Sequence, residues 1–289
     1  MKKFIILALA ACSLAVAGVL FAQEAEGGLT FSWKKIPMDG HRAGIGIVTT
    51  DNADSLDQIF GVFKGKTYIA PNGKKYSRGV TPAVAKLLID AQPALADLRT
   101  PLGYAPETMV RVKPECALYN MYVDRLMASV EASCGQKIDV GFTNTGGVRC
   151  DMTKGKQALG DVLSMFPFKS NKTAFVQLAG KDLRVIYQQM AANPGLMIQG
   201  GAKLVYTADH KLKSVTMSDG KPLDDKKIYN VATINFVLNG GDGFNVAKNA
   251  KALEMYEVTM SDFMADYYRQ LTAEGKEITY PVDGRITQE

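Results

Sequence analysis

Histidine is almost missing from this chain: His41 and His210 are the only two in 289 residues. So small a supply excludes a histidine-rich metal cluster. It also leaves a catalytic thiol short of a base, since a cysteine nucleophile needs a neighbouring histidine or an equivalent group. A dominant charge is lacking too, with 34 basic residues against 29 acidic. Setting aside Lys2 and Lys3 reduces the formal charge from +5 to about +3. No dense Lys/Arg cluster occurs, which argues against a nucleic-acid polymer as partner. The pairs Lys34-Lys35 and Lys226-Lys227 read as solvated surface. Beyond Phe21 there is no long apolar run and so no stable membrane span, and neither repeats nor low-complexity tracts interrupt the pattern.

At the N-terminus, Lys2 and Lys3 precede an apolar stretch from Phe4 to Phe21 that ends at Ala22-Gln23, before Glu24 and Glu26. This order predicts a cleaved export signal over residues 1–22 and a periplasmic or cell-surface protein. About eighteen apolar residues also suffice to span a bilayer, but the position at the extreme start and the small Ala22 favour cleavage. An alternative is lipid attachment at Cys12, because Leu9-Ala10-Ala11-Cys12 resembles a bacterial lipoprotein processing box. After cleavage the cysteines are Cys116, Cys134 and Cys150, an odd number that permits at most one internal disulfide. Cys116 and Cys134 stand at opposite ends of one predicted helix, too far apart to pair. Whether Cys150 pairs stays open, and buried, inert cysteines are the expectation.

Residues 23–100 form an extension with a lead-in helix. Thr81-Pro82 opens that helix, Val84, Leu87, Leu88 and Ala91 make an apolar stripe, and Pro93 ends it. Residues 101–289 form the main domain. Leu118, Met121, Tyr122 and Leu126 predict a helix over 116–132, and Ile138–Thr143 reads as a strand. A strand over Thr173–Leu178 and a helix from Gly180 to near Pro194 follow. Lys203–Thr207 and Ser214–Met217 pair across the Asp209-His210-Lys211 turn. Tyr229–Ile234 is a buried strand, and Ser261-Asp262 caps a last helix. Strands and helices in this succession indicate an α/β or α+β domain.

Two glycine-rich segments carry the chemistry. Asn144-Thr145-Gly146-Gly147-Val148-Arg149 follows the first predicted strand of the main domain, and Phe236-Val237-Leu238-Asn239-Gly240-Gly241-Asp242-Gly243-Phe244 follows the buried strand at Tyr229–Ile234. Glycine lets the backbone approach a ligand closely, while Arg, Asp and Phe beside it supply charge, hydrogen bonds and a stacking face. Each segment alone reads equally well as a turn between strands, because Asn-Gly and Asp-Gly are strong turn signals.

Together with three further landmarks, the pair resembles the substrate-binding C-terminal domain of the 5′-nucleotidase family. The landmarks are Glu115-Cys116-Ala117-Leu118-Tyr119-Asn120 followed by Asp124, then Phe166-Pro167-Phe168, then Leu178-Ala179-Gly180-Lys181-Asp182-Leu183, all in the family's order and spanning residues 102–288. The resemblance implies an α+β fold, a four-layer α/β/β/α sandwich with the ligand loops at one edge. It also implies a nucleotide pocket. Phe168 and Phe236 match the phenylalanines that sandwich the base, and Asp242 matches the acid on the ribose hydroxyls. Asn144 and Arg149 match the residues that contact the base and the phosphate or ribose side. Gly146, Gly147, Asn239, Gly240 and Gly241 form the rims, and the backbone of Gly200 and Gly201 lines the base pocket. Asn120 matches a polar helix residue near the interdomain cleft. Two departures stand out: the aromatic loop Pro167-Phe168-Lys169-Ser170-Asn171 carries one extra residue before Asn171, and Pro114 replaces a family arginine, leaving Arg111 or Lys113 as substitutes.

The family hydrolyses its substrates with a separate N-terminal domain holding two divalent metals on Asp, His and Asn ligands, with a catalytic His. These 289 residues contain no Asp-any-His or Gly-Asn-His-Glu element. Read against the family, they carry no catalytic residues and no cofactor of their own. The expected function is a nucleotide- or nucleoside-binding subunit of a split 5′-nucleotidase, with the metals on a separate metallophosphatase chain. The alternative is a nucleoside receptor or scavenging module with no catalytic role.

Overall fold

The computed structural model describes residues 22–25, 29–32 and 56–289, apart from Asn245. His41, Trp33, Cys12 and all but the last residue of the expected export signal lie outside them. The chain divides into two compact units, Met1–Ile47 and Val48–Glu289. In the first, β1 (Ala22–Ala25) pairs antiparallel with β2 (Leu29–Ser32).

The second unit opens with α1 (Leu56–Phe60) and an antiparallel sheet of β3 (Val62–Lys64), β4 (Thr67–Ile69) and β5 (Lys75–Tyr76). Helix α2 (Val80–Ala91) follows, starting ahead of the expected Thr81 cap. Pro93 does not end helical structure but falls at the start of a 3-10 segment, Gln92–Arg99, because a missing N–H costs nothing in a first turn. The face of α2 that turns inward carries Pro82, Ala85 and Ile89. The stripe Val84, Leu87 and Leu88 points outward and is exposed.

Next come β6 (Pro101–Ala105), α3 (Ala117–Cys134), β7 (Val140–Asn144), β8 (Gly155–Ala158), α4 (Leu159–Met165), β9 (Lys172–Ala179) and α5 (Gly180–Ala192). They are followed by β10 (Met197–Gly200), β11 (Ala202–Tyr206), β12 (Leu212–Met217), β13 (Ile228–Ile234), α6 (Asn235–Leu238), β14 (Ala252–Thr259), α7 (Met260–Ala273) and β15 (Ile286–Gln288). The fold class is α+β. A five-stranded mixed sheet runs β10-β7-β13-β9-β14, and a three-stranded sheet runs β12-β11-β15. Helix α3 packs on β7, β9, β10 and β13, while α5 packs on β9, β11 and β12. Covered sheet faces require apolar residues on both sides of a strand, and all of Val140–Asn144 is buried accordingly.

Helix α7 starts at Thr259, not at Ser261-Asp262. The Thr259 amide donates to Asp262 Oδ2 at 2.8 Å and the Asp262 amide donates back to Thr259 Oγ1 at 3.3 Å, a capping box read two residues late from the sequence. The cysteines differ from expectation as well. All three are free, but only Cys116 is buried; Cys134 closes α3 and Cys150 sits in a loop, both half-exposed.

Candidate functional site

Strand direction gathers the site. Strand β13 runs parallel to β7, so both end at the same sheet edge, and β9 and β10 run antiparallel and begin there. Four loops therefore meet at that edge: residues 144–149, 166–171, 193–196 and 235–244. Side chains tie them together. Thr145 Oγ1 donates to the Gly195 carbonyl at 3.0 Å, and Asn235 Nδ2 donates to the Ser170 carbonyl at 2.9 Å while its Oδ1 accepts from the Lys172 amide at 3.1 Å. The two glycine segments are joined directly, by Asn144 Nδ2 donating to Asp242 Oδ2 at 2.8 Å.

Two aromatic rings stand open at this edge. Phe168 is 37% exposed and Phe236 38%, in a unit whose other phenylalanines from Phe142 onward are buried. The Arg149 guanidinium lies over the Phe168 ring, 5.5 Å from its centroid, and donates to the Gly146 carbonyl at 3.3 Å. Such a site offers stacking faces, a permanent cation and a carboxylate. Asn239 and Gly240 close α6 beside it, with Gly241 and Asp242 following in a short 3-10 turn. Asn171 closes the aromatic loop through its own amide, which donates to the Phe168 carbonyl at 3.0 Å.

Arg111 and Lys113 flank the first glycine loop. Arg111 is held by Asp151, with Nε 2.9 Å from Oδ1, and donates to the Val148 carbonyl at 3.0 Å. Burial pushes the Asp151 carboxyl up, but hydrogen bonds from the Arg111 amide and guanidinium outweigh it and hold it below the usual carboxylate range. The Lys113 side chain lies against Gly195.

Two expected residues lie elsewhere. Gly200 pairs opposite Gly141 while Met197 pairs opposite Asn144, so antiparallel β10 carries Gly200 and Gly201 away from the loops to the far end of β7. Gly201 has φ +82°, and a Cβ there would stand 2.2 Å from the Asp139 carbonyl oxygen, so this glycine serves backbone packing. It lines a separate cleft of about 650 Å³ with Asp124, Arg125, Tyr280 and Arg285. The glycine at the loop edge is Gly195, which its position just after Pro194 at a predicted helix end could have flagged. Asn120 is the second: it is 1% exposed, and its Nδ2 donates to Glu115 Oε1 at 2.8 Å and the Pro281 carbonyl at 3.2 Å. Its work is to fasten the C-terminal segment. Glu115 also accepts from the Asp283 and Gly284 amides, and Arg285 donates to both oxygens of Asp124 at 2.8 and 3.1 Å. Asp283-Gly284-Arg285 went unread in the sequence, where it resembles an ordinary turn.

Among the described residues no group of three or more His, Cys, Asp or Glu side chains is placed to hold a metal ion, and no helix is long and apolar enough to cross a membrane. His210 occupies an exposed turn at φ 60°.

An α+β domain with exposed aromatics, an arginine and a carboxylate gathered on the loops of one sheet edge defines a small-molecule-binding class of protein. The 5′-nucleotidase C-terminal domain family matches residues 99–249, just over half of the chain, and the chain belongs to that family. It is 33% identical over 187 residues to the cell wall protein Lmo0130 of Listeria monocytogenes, covering 59% of this chain and 23% of that protein. It is 30% identical over 192 residues to the trifunctional nucleotide phosphoesterase YfkN of Bacillus subtilis, covering 62% and 13%. The chain thus spans less than a quarter of the length of either relative. Among solved structures, a 5′-nucleotidase precursor from Thermus thermophilus shares the fold, with a TM-score of 0.62 and 23% identity over 78% of this chain and 50% of that one.

Proposed function

We propose that these residues bind a nucleotide or nucleoside, stacking the base on Phe168 and Phe236, taking the ribose on Asp242 and facing the phosphate with Arg149. The observation that carries this reading is the exposure of the two phenylalanines on loops stitched together by Asn235. Leaving two aromatic rings in water is unfavourable unless something covers them, and a base is flat, apolar on its faces and polar at its edge. The nucleotide phosphoesterase named among the relatives fits that ligand.

We further propose that hydrolysis belongs to a metallophosphatase on another chain, which this domain supplies with an oriented substrate. Export to the cell surface fits the N-terminal signal pattern and the cell wall relative. The test is a thermal-shift screen of the purified chain against nucleotides, nucleosides and nucleotide sugars, with and without divalent metal. Specific binding to the folded state raises the midpoint. A metal-independent rise with base-containing ligands is the expected result, and no rise with any of them refutes the pocket. Adding the chain to a metallophosphatase should raise nucleotide hydrolysis above that of the phosphatase alone. Tight nucleoside binding with no such gain would favour a scavenging receptor.

A further inference from the structure

Asn144 is the residue whose geometry departs most from a ligand contact. It is 7% exposed, at the end of β7, and stands at the cap position of the 3-10 turn Thr145–Gly147 without making a side-chain capping bond. Its Nδ2 is committed to Asp242 Oδ2 at 2.8 Å. An ionised carboxylate only accepts hydrogen bonds, so the amide must present its nitrogen to Asp242 and turn its oxygen the other way. That oxygen is buried and has no hydrogen-bond partner. It lies under the Gly146-Gly147 turn, where a Cβ on Gly147 would come within 3.3 Å of it. Neither end of the amide is free to read a base.

Asp242, by contrast, is exposed, and its backbone adopts φ 54°, in the left-handed region that aspartate enters only at a cost. One carboxylate oxygen is held by Asn144; the other has no hydrogen-bond partner among the described residues. A carboxylate pinned at one oxygen and open at the other suits a pair of neighbouring hydroxyls, because its open lone pairs keep a fixed direction.

We propose that Asn144 is a positioning residue: it does not touch the ligand but clamps Asp242 across the two glycine loops, and through Asp242 it sets preference for a sugar with vicinal hydroxyls. This rests on the nucleoside-binding reading above. Calorimetry with adenosine and 2′-deoxyadenosine on wild type, Asn144→Ala, Asp242→Ala and the double variant tests it. Wild type should bind adenosine at least tenfold more tightly than the deoxynucleoside. Both single variants should bring that ratio close to one while changing affinity for 2′-deoxyadenosine less than threefold, and the double variant should resemble either single one. Equal weakening of both nucleosides by Asn144→Ala, additive with Asp242→Ala, would show a direct base contact and overturn the assignment. Absence of binding to wild type overturns the nucleoside reading and this one with it. NMR of the Asn144 side-chain amide in wild type needs no substitution to fold. Its resonance should move on adding adenosine and stay in place with 2′-deoxyadenosine, whereas equal movement with both contradicts the clamp.

Discussion

At the end of β7 where the strand begins, Asp124, Tyr280, Asp283 and Arg285 saturate one another. Tyr280 donates to Asp124 at 2.8 Å, and Arg285 reaches both Asp124 and Asp283 while itself only 7% exposed. At the other end, one residue past the strand and across the neighbouring loops, Phe168 and Phe236 stand open and Asp242 keeps an unused oxygen. The same strand thus joins a region where every charge has been answered to one where stacking faces and acceptors have not. Buried charges persist only when paired, so the first arrangement speaks of stability. Exposed rings beside a poised carboxylate contribute little to the core and speak of recognition.

The sharpest way to break this contrast is Arg285→Ala. It leaves Asp124 and Asp283 facing each other without their cation, and removing one member of a buried pair typically costs about 3 to 5 kcal/mol. Urea unfolding should therefore show a large loss of stability, while nucleoside affinity of the folded protein stays close to wild type. Phe168→Ala and Phe236→Ala should do the reverse. Loss of one stacking face is worth about 1 to 3 kcal/mol of binding, roughly a 5- to 150-fold rise in Kd, and the unfolding midpoint should barely move. A Phe variant that unfolds the protein but binds normally would reclassify its ring as core.

Much of this division was legible in the sequence because it depends on local signals. Strands β7 and β13 stood out as apolar runs followed by glycine, and the turn at Asp209-His210-Lys211 emerged between paired strands as expected. Asn144, Arg149, Phe168, Phe236 and Asp242 do reach one edge. Gly201 and Asn120 did not, and for a common reason: a strand's direction and a helix's inward face are set by tertiary pairing, which residue order leaves unstated. Gly201 follows β10, so the antiparallel pairing with β7 decides at which end it falls. The C-terminal clasp was unreadable because Glu115 and Asp283 are far apart in sequence and each is unremarkable alone. On α2, the more apolar stripe turned outward and the smaller one, around Ala85, packs inward against its few neighbours.

A smaller effect tests whether charge, and not shape, holds the clasp. The hydrogen bond from Arg285 is the main influence keeping the Asp283 carboxyl below its usual range, with burial working the other way. A carboxylate whose folded pKa is depressed contributes stability above the unfolded value, about 3.9 for aspartate, and loses that contribution as the pH falls through the lower folded value. Asp283→Asn removes the charge at every pH. Wild type should therefore be more stable than the variant at pH 7, by no more than about 1 kcal/mol because the Asp283 side chain is 45% exposed and partly screened. The gap should narrow below pH 4 and close near pH 2, read as the difference in urea midpoints. A gap that stays constant would mean that Asp283 acts through its shape and backbone turn, leaving Asp124 as the carboxylate that answers Arg285.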